Sequence, residues 1–164
     1  MKGKPGGGKR AEEGVKVVAT NRRARFDYAI EDAWEAGIAL TGSEVKSLRE
    51  GNVNLSDAYA QPRGEELFLL NCRIGEYKQA AHFGHAPLRD RKLLMKRAEI
   101  DRIRGKVEQR GYTLVPLRVY FKEGWAKVEL GLARGRAHED RRDAIAERES
   151  RREMDRALAR GRRR

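Results

Sequence analysis

Residues 111–135 read GYTLVPLRVYFKEGWAKVELGLARG, and this stretch decides how the rest of the chain must fold. Its first half sets Leu114, Pro116 and Arg118 against Val115, Leu117, Val119 and Phe121; its second half sets Ala126, Val128, Leu130 and Leu132 against Lys127 and Glu129. Period-two alternation on both sides of Lys122-Glu123-Gly124 predicts a β-hairpin with one apolar and one solvated face. The apolar face needs cover from elsewhere in the chain, while Lys127 and Glu129 are expected to face outward. Pro116 cannot donate to a ladder, so the first strand is expected at a sheet edge or with a bulge at that point.

The 164 residues suit one domain with tails, and 39% hydrophobic residues is lean for anything larger. The net charge is +12, and its distribution is uneven: residues 1–25 carry +6, residues 134–164 carry +5, and everything between carries +1. A near-neutral body with two basic arms suits a polyanionic partner, because mobile lysine and arginine displace the counterions condensed on phosphate. Nucleic acid is the leading partner class. Neither arm pairs its charge with a broad apolar face, so a membrane surface is the poorer match. No run of about 18 apolar residues occurs and no apolar segment follows the basic start, so a cytoplasmic location is expected. The single cysteine, Cys72, excludes an internal disulfide and agrees with a reducing compartment.

Residues 1–15 are rich in glycine and lysine and are expected to form a disordered basic leader. Residues 15–19 can pair as a short strand, and Asn21, Arg22, Arg23 and Arg25 form a basic cluster at the edge of the body that could sit on phosphates. Alternation through residues 26–40 predicts two strands broken around Trp34-Glu35-Ala36-Gly37. Ser43 is expected to cap a short helix closed by Gly51, with Val45 and Leu48 as its apolar edge. Residues 57–61 and 66–74 read as a second hairpin turned at Pro62-Arg63-Gly64-Glu65, its second strand apolar enough to be central. A long loop follows over residues 75–87, carrying Tyr77, His82, Phe83 and His85. Residues 88–96, with Arg89, Arg91, Lys92 and Lys96 around Leu93, Leu94 and Met95, read as the start of a helical stretch. A helix over residues 98–110 presents Ile100, Ile103 and Val107 on one face and stops at Gly111. After Gly135 the chain becomes charged and helix-favouring, with pairs such as Glu147/Arg151 but too few apolar residues for a core-facing stripe. Such a tail is expected to be loose when free and helical when bound to something negative.

Sites for chemistry are scarce. Cys72, His82 and His85 fall short of a zinc ligand set, and a cysteine within an apolar strand reads as a small core residue. Glu31, Asp32 and Glu35 have no phosphate loop or nucleophile motif beside them, so they read as solvated carboxylates. Neither an enzyme nor a cofactor is expected. A small β-rich body with two or three helices suits a partly open barrel of the OB type, which binds nucleic acid through loops and a strand face.

The blocks NRRARFDY, WEAGIALTGSEVKSLREGNVNLSDAY, HAPLRDRKLLM and GYTLVPLRVYFKEGWAKVELGLARGR, in this order, resemble the SmpB family, the SsrA-binding (tmRNA-binding) proteins of bacteria. The resemblance covers residues 16–136. It implies an OB-like core over residues 16–133 that grips the tRNA-like part of tmRNA and carries it, with elongation factor Tu, to stalled ribosomes. It further implies that the tail, residues 134–164, occupies the empty mRNA channel near the decoding centre while the product is tagged for degradation. The family's tmRNA-contacting positions fall on Glu35, Leu94 and Lys127. Asn21, Arg22, Arg23 and Arg25 match its basic segment, and Arg91 and Lys92 flank Leu94 in the same block. In the tail the ribosome-facing set is Arg134, Arg136, His138, Arg141, Arg142, Ile145 and Arg148. The family's stacking residue aligns with Glu139, so either His138 makes that contact with a local shift or arginines replace it. The rival reading is a small basic ribosomal structural protein or translation-factor-like RNA-binding protein.

Overall fold

The computed structural model describes residues 14–80, 84–109, 111–135 and 138–161. The hairpin forms as expected: strand β8 (Tyr112–Lys122) and strand β9 (Trp125–Gly135) turn through Glu123 and Gly124. Both turn residues have positive φ (51° and 82°), the two-residue geometry whose twist matches that of the flanking strands. The earlier strands are β1 (Val15–Thr20), β2 (Tyr28–Ile38), β3 (Val53–Asn54), β4 (Tyr59–Arg63), β5 (Glu66–Leu70), β6 (Arg73–Ile74) and β7 (Arg91–Leu94). Helices α1 (Arg22–Asp27), α2 (Gly42–Arg49) and α3 (Arg97–Val107) belong to the body, and α4 (His138–Gly161) follows it.

The strands pair in the order β8–β4–β5–β7–β2–β9, and β9 returns to β8, which closes a ring with β1 added along β8. Two seams are thin: β4 meets β8 only at Ala60 and Leu114, and β2 meets β7 only at Gly37 and Ile38. The result is the partly open barrel expected from the sequence. Its interior holds Ala36, Leu48, Leu67, Leu69, Cys72, Leu93, Ile103, Leu114, Val119, Val128 and Leu130. Cys72 is a buried core residue, and burial pushes its thiol up to about 11. Helix α2 supplies Leu48 and Val45, and α3 supplies Ile103 and Val107 across the barrel.

Several elements differ from the sequence expectations, each for a tertiary reason. Strand β8 is not an edge strand, since it has β9 on one side and β1 and β4 on the other. Pro116 is accommodated at a bulge between Pro116 and Arg118, the second of the two expected solutions. Beyond this bulge the inward phase changes from Leu114 to Val119 and Phe121, and because Val115 and Leu117 pack with Ala24 on the other side, β8 is buried on both faces over much of its length. Strand β2 is continuous instead of broken at Trp34–Gly37, and it carries its own bulge between Ile30 and Asp32. Residues 22–27, read as a charge cluster running into a strand, form α1. Its buried Ala24 packs with Val115, Leu117 and Ala133 on the outside of the barrel. Thr41, not Ser43, caps α2, and Thr41 with Glu44 forms a reciprocal capping box. The second hairpin turns at Gly64-Glu65 and its long second strand splits into β5 and β6 at Asn71, whose φ is +55°. Residues 91–94 are strand β7, not helix, because β2 and β5 claim them from either side.

The body also encloses an ion network. Glu44 is fully buried and accepts from Arg91 Nε, from Arg89 Nη2 at 2.6 Å and from the Thr41 backbone N–H at 3.0 Å. Arg91, 0% exposed, spends its other donors on the carbonyls of Cys72 (2.6 Å) and Pro87 (3.2 Å). His85 ties the loop down: Nε2 donates to the Ile74 carbonyl at 2.9 Å, and Nδ1 accepts from the Ser43 hydroxyl at 2.9 Å. Burial alone pushes the Glu44 carboxyl up, but bonds from Arg89, Thr41 and Arg91 outweigh it and hold the group at about 2. The folded value lies below the ordinary 4.5, so the carboxylate's contribution is complete above about pH 4.5 and is lost as pH falls toward 2. That contribution is about 3 kcal/mol. Urea melts at stepped pH should show this loss over that window, and Glu44→Gln should remove that component of the acid dependence while lowering stability at neutral pH.

Candidate nucleic-acid interface

Residues 1–13, His82, Phe83 and Arg136 lie outside the described residues, as do the side chains of His138, Arg141 and Arg142. The body's expected contact residues are nearly all placed, and the outer surface of β7, β2, β9 and β8 brings the central three together. Between the two bulged neighbours β9 runs without interruption, its odd positions outward: Lys127 and Glu129 near the hairpin tip, Gly131 against Leu117 and Ile30, and Ala133 packed with Ala24 of α1. The outer surface is therefore divided. One half is apolar and covered by α1; the other is open and charged.

On the open half, strand register builds a transverse row. Val17 on β1 faces Tyr120 on β8, Tyr120 faces Lys127 on β9, Lys127 faces Gly37 on β2, and Gly37 faces Leu94 on β7. Directly opposed residues share a face, so Leu94 and Lys127 flank Gly37 from its two sides. Leu94 is 52% exposed, unusual for a leucine in a strand whose neighbour Leu93 fills the core. A Cβ on Gly37 would lie 3.2 Å from the Leu94 Cβ, so glycine leaves Leu94 the room it occupies.

The next row sets Glu35 on β2 against Glu129 on β9. Opposed like charges destabilise a sheet unless each is countered. Arg118 pairs with Glu129, and Glu35 accepts from the Tyr120 hydroxyl and meets Lys122 Nζ at 3.5 Å. The Tyr120 bond above all, with help from Lys122 and Lys127, holds the Glu35 carboxyl below its ordinary value against the upward push of burial. Tyr120 is only 2% exposed although it belongs to the outer surface, and the Arg118 guanidinium lies 4.7 Å from its ring centroid. Burial first, and then Glu35, push its phenol upward. Glu35 thus sits fixed and ionised, 39% exposed, with acceptor capacity turned to solvent.

Of the supporting residues, Lys92 is exposed on β7 and pairs with Glu66 at 3.0 Å. Arg22 and Arg25 are exposed on α1, and Arg23 reaches Asp27 at 3.1 Å and Asp57 at 3.9 Å. Two expected contacts are corrected. Arg91 is withdrawn into the Glu44 network and has no exposed surface. Asn21 is buried and structural: its Oδ1 accepts from the Ala24 N–H (3.1 Å), and its Nδ2 donates to the Leu55 and Pro116 carbonyls (3.1 and 2.9 Å). The sequence pattern set Arg118 opposite Val119 and Phe121 without marking it as part of this surface, and Tyr120 and Gly37 carried no signal that would have placed them here. Arg134, at the end of β9, is exposed and its guanidinium lies 5.9 Å from the Tyr112 ring. From Ile145 on, α4 is exposed along its described length, Ile145 and Arg148 included. Glu31 and Asp32 are exposed, Asp32 paired with Lys106 at 3.0 Å, and among the described residues no cluster of His, Cys, Asp and Glu could hold a metal ion.

The SmpB family model, described as "SmpB protein", matches residues 18–160. The SsrA-binding protein of Anaeromyxobacter dehalogenans (strain 2CP-C) is 87% identical over 164 residues, all of both chains. That of Myxococcus xanthus (strain DK1622) is 65% identical over 150 residues, 92% of this chain and 93% of the relative. A solved structure described as "tmRNA-SmpB: a journey to the center of the bacterial ribosome" contains a chain 49% identical to this one, with a TM-score of 0.64, covering 77% of this chain and 93% of that one.

Replacing Tyr120 by Phe should free Glu35 and raise its pKa toward the ordinary carboxylate value, read by carboxyl NMR titration. An unchanged titration would mean that the phenol does not hold the carboxylate.

Proposed function

The chain belongs to the SmpB family, and from that premise we infer that it is an RNA-binding adaptor of trans-translation. It binds the tRNA-like domain of tmRNA and delivers it to stalled ribosomes, so that incomplete proteins are tagged. The observation that carries the reading at residue level is the convergence of Glu35, Leu94 and Lys127 on one open surface from three different strands.

Each residue has a distinct task there. Lys127 neutralises a phosphate. Leu94 packs on a sugar or an unstacked base. Glu35, held ionised, accepts from base amino groups or a 2′-hydroxyl, which selects a folded RNA without adding bulk attraction. Lys92 and the exposed arginines of α1, Arg22, Arg23 and Arg25, add phosphate contacts around this centre. The exposed, charge-rich α4 supports a tail that takes its place in the unoccupied mRNA channel through Arg134, Arg136, Arg141, Arg142, Ile145 and Arg148, with His138 near its start. An isolated helix of this kind is marginal in water, so seating in the channel is what stabilises the helical form of α4. Elongation factor Tu joins through the tmRNA complex, the chain itself changes no covalent bond, and the work is done in the cytoplasm.

Glu35→Arg should weaken tmRNA binding although it replaces a negative charge with a positive one, and filter binding or gel shift would read it; undiminished affinity would place the contact surface elsewhere. A chain ended after Arg134 should keep nearly all tmRNA affinity and lose tagging on stalled ribosomes, whereas full tagging would remove the tail from the mechanism.

A further inference from the structure

Among the described residues of the barrel body, five stand out as large exposed hydrophobics: Val17, Tyr59, Leu88, Leu94 and Trp125. Trp125 is the extreme case, 72% exposed at the first position of β9. Its position is not incidental. It opposes Lys122, which completes the two-residue turn, and it lies two residues before Lys127 on the same face of the same strand. The outward side of the hairpin thus carries Trp125 and Lys122 in one row, Lys127 and Tyr120 in the next, and Glu129 and Arg118 in the third. Trp125 continues the surface that contains Lys127 and Glu35, with a cation on the opposing strand and another along its own.

We propose that Trp125 is a base-stacking platform at the hairpin tip, taking one unpaired nucleobase of the bound RNA while Lys122 and Lys127 hold the phosphates beside it. The proposal rests on the RNA-adaptor reading and extends its surface beyond the three expected contacts. An indole offers a flat apolar face that any base can cover, and exposed aromatics interleaved with lysine are how single-stranded nucleic acid is held. The support is stiff: the tight turn fixes Lys122 and Trp125 as direct partners, and β8 and β9 pair without a break from there to Arg118 and Glu129, so little ordering is needed on binding. Glu123, exposed in the turn, is the local carboxylate that a phosphate must avoid.

The chain has two tryptophans, so a Trp34→Phe background leaves Trp125 as the sole indole reporter. Titrating that full-length protein with tmRNA should quench its fluorescence in step with binding. Trp125→Ala should weaken affinity by about tenfold, the size of one lost base–aromatic stack, with the slope of affinity against salt unchanged, and Trp125→Phe should recover most of it. Lys127→Ala, measured in parallel, should weaken binding and reduce the salt slope. If Lys127→Ala weakens binding while Trp125→Ala binds as tightly as the parent, or if the indole signal is silent, the stacking role is overturned and the RNA surface stands. If neither substitution matters, the surface itself is misassigned.

Discussion

Backbone pairing along both edges of β9 is the constraint on which the rest depends. This strand meets β8 on one side and β2 on the other for nearly its full length. Both neighbours carry a bulge, at Pro116/Arg118 opposite Leu130/Glu129 and at Ile30/Asp32 opposite Ala133/Leu132, three residues apart along β9. A bulge adds a residue to one strand only, so it reverses which side chains point inward beyond it. The two reversals occur on either side of an unbroken strand, and so one sheet face changes from apolar to charged along its own length. The apolar half is sealed by α1 through Ala24, Val115, Leu117 and Ala133, and the charged half is left open.

Asn21 sits at the boundary between these halves. It ends β1, caps α1 and satisfies the carbonyls of Pro116 and, through its backbone N–H at 2.7 Å, of Leu117 where β8 is bulged. Because one side chain fixes both the bulge and the start of α1, the cover and the open surface keep a constant relation. Deeper in the body, Glu44 ties α2 to Arg89, just before β7, and to Arg91, the first residue of β7. That bond holds the strand bearing Leu94 against β2 at a seam of only two residue pairs. A buried carboxylate with two arginines is costly to desolvate, and breaking it would leave an uncompensated charge.

Much of this was legible in the chain itself. Alternation around Glu123-Gly124 located the hairpin, and Ile100, Ile103 and Val107 located α3, because those patterns are local. The bulges were not legible beyond the hint of Pro116, since a bulge is settled by the partner strands. Residues 91–94 read as helical because Leu93-Leu94-Met95 among basic residues fits either period; only pairing with β2 and β5 decides it. Arg91 resembled a surface cation for the same reason that Lys92 is one, and nothing in composition marks which arginine will meet a buried glutamate 47 positions earlier. Trp125 stood outside the alternation that begins at Ala126, and its exposure emerges only from its place beside the turn.

The central claim is that the open half of this divided face, from Leu94 across Gly37 and Lys127 to Tyr120, is the surface that meets RNA. The most direct test is protein–RNA crosslinking of the full chain bound to tmRNA, with the attached peptides identified by mass spectrometry. Crosslinks concentrated on β7, the hairpin tip and the outward residues of β9, Lys127 above all, are the expected result. Crosslinks confined to the β4–β5 turn and α3, with that outward set unmodified, would contradict it.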